Sequence, residues 1–120
     1  MMNEKVRELL NQQINKEFYS AYLYLGFSNY FQARGLDGFA NWYMIQAQEE
    51  RDHAMLFYQY LHNENQVVTL DAIAKPDKTF SCDMDVLKAG LEHEEYVTSL
   101  INDIYAAAYD VKDFRTMQFL

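Results

Sequence analysis

The stretch Gln46-Ala-Gln-Glu-Glu-Arg-Asp-His-Ala-Met55, QAQEERDHAM, lies between two aromatic runs, FANWYMI before it and LFYQYL after it. Apolar side chains recur at spacings of three and four on both sides, which predicts one continuous helix. Its inward seam runs through Phe39, Trp42 or Tyr43, Gln46, Glu50, His53, Phe57 and Tyr60. Glu50 and His53 are three residues apart and project from one face, so a helix suited to burial carries a carboxylate and an imidazole on its buried side.

Working outward, the same spacing predicts a first helix from about Asn3 to Arg34, closed by Gly35, with a seam of Leu10, Gln13, Glu17, Ser20, Tyr24, Phe27 and Phe31. The connection Gly35-Leu-Asp-Gly38 is short, with Asp37 as the expected N-cap of the second helix, so the two helices pack antiparallel. The second helix runs to about Asn63.

Residues 65–80, NQVVTLDAIAKPDKTF, lose helical periodicity and hold the only proline, Pro76. They predict a crossover long enough to return the chain to the starting end. Ser81 reads as the next N-cap, with Asp83 and Asp85 suited to the positive end of a helix dipole. A third helix follows from about Cys82 to Tyr109, its seam Leu87, Gly90, Glu94, Val97, Ile101, Ile104 and Ala108. Asp113 caps a fourth helix that begins FRTMQFL and is cut short there. The expected fold is all-α: one domain over residues 1–120, a four-helix bundle with a long crossover between helices two and three.

Composition agrees. Four glycines and one proline are too few for many short strands, while ten tyrosines, eight phenylalanines and Trp42 give the chain much apolar surface to bury. Trp42 and most of the tyrosines are expected in the core, and His62 and His93 on the surface. The formal charge of -8 excludes a phosphate-backbone binder, since no Lys/Arg cluster exists; the chain is expected to take neither nucleic acid nor membrane as partner. Between residues 35 and 64 there are five acids and only Arg51 opposing them, a balance that suits cations. The single cysteine, Cys82, excludes a disulfide framework and any Cys-rich metal site. No apolar run approaches the ~18 residues of a membrane span, and the N-terminus reads as amphipathic helix, not as a leader. A cytoplasmic location is expected.

Each of the three long helices therefore places one carboxylate, Glu17, Glu50 or Glu94, on its seam. Glu-x-x-His by itself is common on solvated helix faces, Glu17 alone could edge an amphipathic stripe, and Glu94 could belong to the acidic run Glu92-His-Glu-Glu95. All three in register is a different matter. Buried unpaired carboxylates cost several kcal/mol each, roughly, and three in one layer repel. A multivalent cation between them reverses the sign, and carboxylates with one imidazole suit iron or manganese better than copper. Glu-x-x-His projecting into a bundle core is the half-motif that the di-iron carboxylate proteins use. A first metal would take Glu17, Glu50 and His53, and Glu50 would bridge to a second held also by Glu94. Tyr24, seven residues beyond Glu17, reads either as a partner of a bridging carboxylate, as an electron donor, or as a plain core tyrosine. Glu49, one residue off the seam, reads as a weaker extra ligand or as a solvated acid.

From LLNQQINKEFYSAYLYL through QAQEERDHAMLFYQYL to LEHEEYVTSLIND, the chain resembles the bacterial non-haem ferritins. The resemblance implies ferroxidase ligands at Glu17, Glu50, His53 and Glu94, a nearby tyrosine at Tyr24, and a third-iron ligand at Glu49. It implies a shell of twenty-four identical subunits that takes in ferrous iron, oxidises it with dioxygen or hydrogen peroxide at a two-iron centre, and stores ferric oxyhydroxide. No haem is expected, because Asp52 stands where the bacterioferritins have their haem-binding methionine. The mini-ferritins that bind DNA differ in ligand placement and carry a basic tail, and a rubrerythrin-like peroxidase needs cysteine pairs. Family members carry further ligands, a Gln or Glu and then a Glu, along a longer fourth helix. Without them the second iron is expected to be held less well than the first, and a shortened chain could instead serve as a catalytically incomplete module of shell assembly.

Overall fold

A computed structural model describes residues 1–120 and contains four helices: α1 (Glu4–Ala33), α2 (Asp37–Asn63), α3 (Asp83–Asp110) and α4 (Phe114–Phe119). The bundle measures 51 × 22 × 22 Å. No helix is long and apolar enough to cross a membrane.

The three long helices stop in the same way. Gly35, Asn65 and Lys112 all take left-handed backbone angles, with φ of 73°, 59° and 59°. In each case the next amide reaches back five residues: Leu36 to the carbonyl of Phe31, Gln66 to Leu61, and Asp113 to Ala108. This is the Schellman closure, which satisfies the last orphan carbonyls of a helix. Glycine takes that conformation without steric cost, and asparagine tolerates it. Lys112 adopts it immediately before Asp113, the cap of α4.

Helix starts differ in part from expectation. Asn3 caps α1 by accepting from the amides of Lys5 and Val6, and Asp113 caps α4 through the amide of Thr116, 3.1 Å away, and its hydroxyl at 2.6 Å. Asp37 is not the N-cap of α2. That position is Leu36, which has no side-chain acceptor, and Asp37 lies inside the first turn. Ser81 likewise does not cap α3; the cap is Cys82, and the Ser81 hydroxyl instead donates to Asp85.

The crossover runs along α1. Asn11 makes two bonds to Thr69, donating to its carbonyl and accepting from its amide at 2.9 Å each, and Asn15 donates to the carbonyl of Ala72. Those two side-chain amides supply partners that a strand would otherwise have to provide.

The core is divided. At one end Val6, Leu10, Ile14, Phe57, Leu61 and Ile104 pack together; at the other, Leu23, Phe27, Phe31, Tyr43 and Val86 do so. Between them lie the buried polar side chains Gln13, Glu17, Ser20 and Glu50. The whole expected α1 seam is buried. On α2, Tyr43 takes the inward position, while Trp42 is 56 % exposed and Phe39 is exposed beside it. Both are expected inside; Tyr43 fills the space between α1 and α3 instead, with Trp42 meeting it edge-on and Phe39 stacked on Phe31.

Tyr43 reaches that space because Gly90 of α3 has no side chain: a Cβ there would lie 2.7 Å from the tyrosine hydroxyl. Gly90→Ala is therefore expected to destabilise the fold by about 1–3 kcal/mol through overpacking. In the double variant Gly90→Ala/Tyr43→Phe most of that loss should return, measured as a non-additive cycle in denaturant unfolding.

Candidate metal centre

The polar layer is built by two helices at a fixed pitch. Gln13 and Glu17 are one turn apart on α1, and the Gln13 side-chain amide donates to Glu17 Oε1 at 3.1 Å. Glu17 Oε2 is buried with no hydrogen-bond partner. On α2, Glu50 is 7 % exposed and His53, one turn on, is exposed, its Nδ1 3.4 Å from Glu50 Oε2. One ligand atom from each of Glu17, Glu50 and His53 falls within 4.8 Å of the others. Metal–ligand bonds of about 2 Å to such oxygens and nitrogens need only small side-chain rotations from there.

An acceptor oxygen with no donor, in a site where two carboxylates face each other, fits a cation or a proton shared with Glu50. The electrostatics carry the same sense. Glu50 is pushed up to about 9, first by burial, then by the carboxylate of Glu17 beside it, with Glu94 and Glu49 adding repulsion. Without a cation Glu50 therefore keeps its proton at neutral pH.

Glu94 does not join this compact group. It is exposed, where the seam pattern had placed it inside, because α4 spans only six residues and leaves the middle of α3 open on one side. It nevertheless faces the same cavity of about 350 Å³ as Glu17, Glu50 and His53. Tyr24, buried, donates its hydroxyl to Glu94 Oε1 at 2.5 Å. Tyr24 thus bonds Glu94 and not Glu50, the carboxylate expected to bridge, and its phenol is pushed well above the ordinary range by burial and then by that bond. Glu49, Arg51 and Asp52 point outward.

His93 is a correction. Expected at the surface, it is half-buried: its Nε2 lies 2.7 Å from the Ser20 hydroxyl, and its ring meets Tyr24 edge-on at 5.7 Å. Ser20 also donates to the carbonyl of Lys16, one turn back. Burial lowers the His93 pKa, so the ring is neutral at pH 7. A small polar residue on the α1 seam, Ser20, was the only sign of this pair in the sequence. His62 is exposed, its ring tilted against Tyr58, and Cys82 is free and exposed.

The sign of the pH dependence follows. Glu50 has a folded pKa above its ordinary value of 4.5, so its contribution to stability is whole below that value and is lost as pH rises toward 9. The cation-free chain should lose stability over that window relative to Glu50→Gln, by at most about 1.4 kcal/mol per pH unit. The difference should vanish near pH 4, and an inert divalent ion such as zinc should stabilise the wild type more than the variant. Thermal unfolding of both chains across pH measures it.

Comparison with known proteins places this arrangement. The family model described as Ferritin-like domain matches residues 7–120. A bacterial non-heme ferritin of Campylobacter jejuni is 37% identical over all 120 residues, which span 72% of that protein. A probable bacterial non-heme ferritin-like protein of Haemophilus influenzae is 33% identical, with 73% of its length covered. Among solved structures, an open pore ferritin from Archaeoglobus fulgidus superposes with a TM-score of 0.96 at 39% identity, over 99% of this chain and 74% of that one. A Chlorobium tepidum ferritin gives the same score at 31% identity. The fold is shared over 99% of the chain, and the chain belongs to the ferritin-like family, in which its relatives are iron-storage ferritins.

Proposed function

We propose that the chain is a ferroxidase subunit: it binds ferrous iron in the acidic layer, oxidises it there, and passes ferric iron to a store enclosed by many copies of itself. The observation that carries this reading is the unbonded, buried Glu17 Oε2 facing Glu50 and His53.

Glu17 and His53 are the ligands for a first ferrous ion, with Glu50 between them. Glu50 gives up its proton as the cation enters, so the charge that burial forbids in the empty site becomes the charge that holds iron. Glu50 can share its second oxygen with a neighbouring ion, for which Glu94 is the other protein ligand. Tyr24 keeps that exposed carboxylate turned toward the cavity. Glu49 stands one residue away on the outer side as a weaker ligand. Two ferrous ions supply one electron each; dioxygen takes both with two protons and leaves as hydrogen peroxide, or peroxide takes both and leaves as water. The protein contributes placement, charge and a largely dry setting.

Assembly into a shell, with twenty-four subunits as the resemblance implies, is supported by an apolar groove on the outer side of α1 and α2. Leu25, Met44 and Ile45 are exposed there, around a cavity of about 500 Å³ with Phe18 and Ala21. Uncovered apolar surface of this kind on a symmetric assembler marks contact between copies.

Anaerobic ferrous titration tests the reading. Glu17→Ala and His53→Ala should weaken the first ion at least tenfold, about 1.4 kcal/mol. Glu94→Ala should leave the first ion within a few-fold and remove the second, and with it oxidation that proceeds in pairs. Loss of the first ion in Glu94→Ala, or no effect in the other two, would refute the assignment of ligands.

A further inference from the structure

A second bond joins α1 to α3 beside the one that Tyr24 makes. His93 Nε2 lies 2.7 Å from the Ser20 hydroxyl oxygen, and that hydroxyl gives its only proton to the carbonyl of Lys16, 2.8 Å away. The oxygen is left with lone pairs alone, so it accepts, and the hydrogen between the two side chains belongs to His93. The imidazole is therefore the Nε2–H tautomer, with Nδ1 bare. Its ring rests against α1 beside this bond, with the ring of Tyr19 at 5.9 Å and that of Tyr24, edge-on, at 5.7 Å. Ser20 itself is fully buried.

His93 and Glu94 are consecutive on α3, and consecutive side chains of an α-helix point about 100° apart. His93 thus faces α1, while Glu94 faces the cavity that Glu17, Glu50 and His53 line. Their partners, Ser20 and Tyr24, are one turn apart on α1, so the two bonds fix the rotation of α3 as well as its distance. One bond alone would leave the helix free to roll. The six-residue α4 does not buttress α3 at this level. Rolling α3 either way would draw the His93 N–H off a buried oxygen and move Glu94 relative to the acidic layer.

We propose that Ser20 and His93 are positioning residues for the second cation: their hydrogen bond sets the rotation of α3 about its own axis and so keeps Glu94 at the rim of the metal centre. This rests on the reading of Glu94 as the second ion's ligand, given above. Neither side chain is itself a ligand, because the Ser20 oxygen is closed off and the His93 Nε2 is committed to it. The bond acts on the second position only. The ligands of the first ion lie on α1 and α2, which are joined at Gly35 without any part of α3. Loss of the Ser20–His93 bond should therefore separate the two affinities.

Calorimetric titration of the full chain with cobalt(II) tests this, since it reads both ions without any oxidation. In Ser20→Ala and His93→Phe the first ion should bind as in the wild type, and the second should bind about tenfold more weakly. His93→Gln, whose side-chain amide can donate to Ser20, should return the second ion to near its wild-type affinity. Ile104→Val, which loosens α3 inside the far apolar cluster, should leave both ions unchanged. Nitrogen-15 NMR of the cation-free wild type should find the His93 ring hydrogen on Nε2. Any of four results overturns the proposal: wild-type affinity for the second ion in both Ser20→Ala and His93→Phe, no recovery in His93→Gln, an equal weakening in Ile104→Val, or a neutral His93 ring with its hydrogen on Nδ1. A wild type that takes up only one ion would instead refute Glu94 as a second ligand, a failure of the earlier reading that the variants are not needed to detect.

Discussion

Glu17 and Glu50 face each other between two apolar clusters, and the bundle tolerates them only because something compensates. Burial of one ionised carboxylate without a partner is unfavourable by several kcal/mol, roughly, and a second one adjacent adds repulsion. Here the compensation is divided. Gln13 donates to one oxygen of Glu17, and Glu50 retains its proton. The other oxygen of Glu17 has neither. Protein groups thus satisfy the layer only in part, a condition that a cation would complete. The same constraint explains why the apolar core is split: no packing of Leu, Ile or Phe could pass through this level without burying Glu17 in hydrocarbon.

What fixes the two sides of the layer is backbone, and it is rigid. α1 and α2 are joined by Gly35 and Leu36, and the Schellman closure there sets one helix directly against the other. Ser28 strengthens the pair by donating to the carbonyl of Ala40 at 2.7 Å. The crossover, clipped to Asn11 and Asn15, then delivers α3 to the same side of α1. Gly90 allows α3 and α2 to meet through Tyr43, and Tyr60 joins α2 to α4 through the Thr116 hydroxyl at 2.8 Å. Glu17, Glu50 and His53 thus depend on the tightest joint in the molecule, and Glu94 on a looser one.

The periodicity of α1 was readable residue by residue, since apolar side chains at three and four spacing flank Glu17 without a break, and every seam position named from it is buried. On α2 the pattern left Trp42 and Tyr43 equivalent, because both are aromatic and adjacent. Only the gap opposite Gly90 decides between them, and that gap depends on a helix nearly fifty residues away. Glu94 was legible as a residue facing the cavity of Glu17 and Glu50 but not as an exposed one, because a seam pattern assumes a neighbour along the full length of the helix. The stop at Gly35 could be read from glycine, whereas that at Lys112 could not, since lysine in a left-handed conformation is chosen by the following cap, Asp113. His93 was missed because its partner lies on another helix, seventy-three residues away.

The difference between Glu94 and the other carboxylates orders the chemistry. Glu17 and Glu50 lose solvation on folding and so gain most when a cation enters; Glu94 remains in water and gains less. Its link to the centre is the hydroxyl of Tyr24, which is buried and carried by the same helix as Glu17. An exposed carboxylate is therefore indexed to the buried layer by a phenol seven residues along α1. That phenol bonds Glu94 and packs against Tyr43 and His93, so any shift of the exposed carboxylate is felt first at Tyr24. The placement of Glu94 is thus tied to the buried layer through one hydrogen bond, and that tie is a property of the α1 seam.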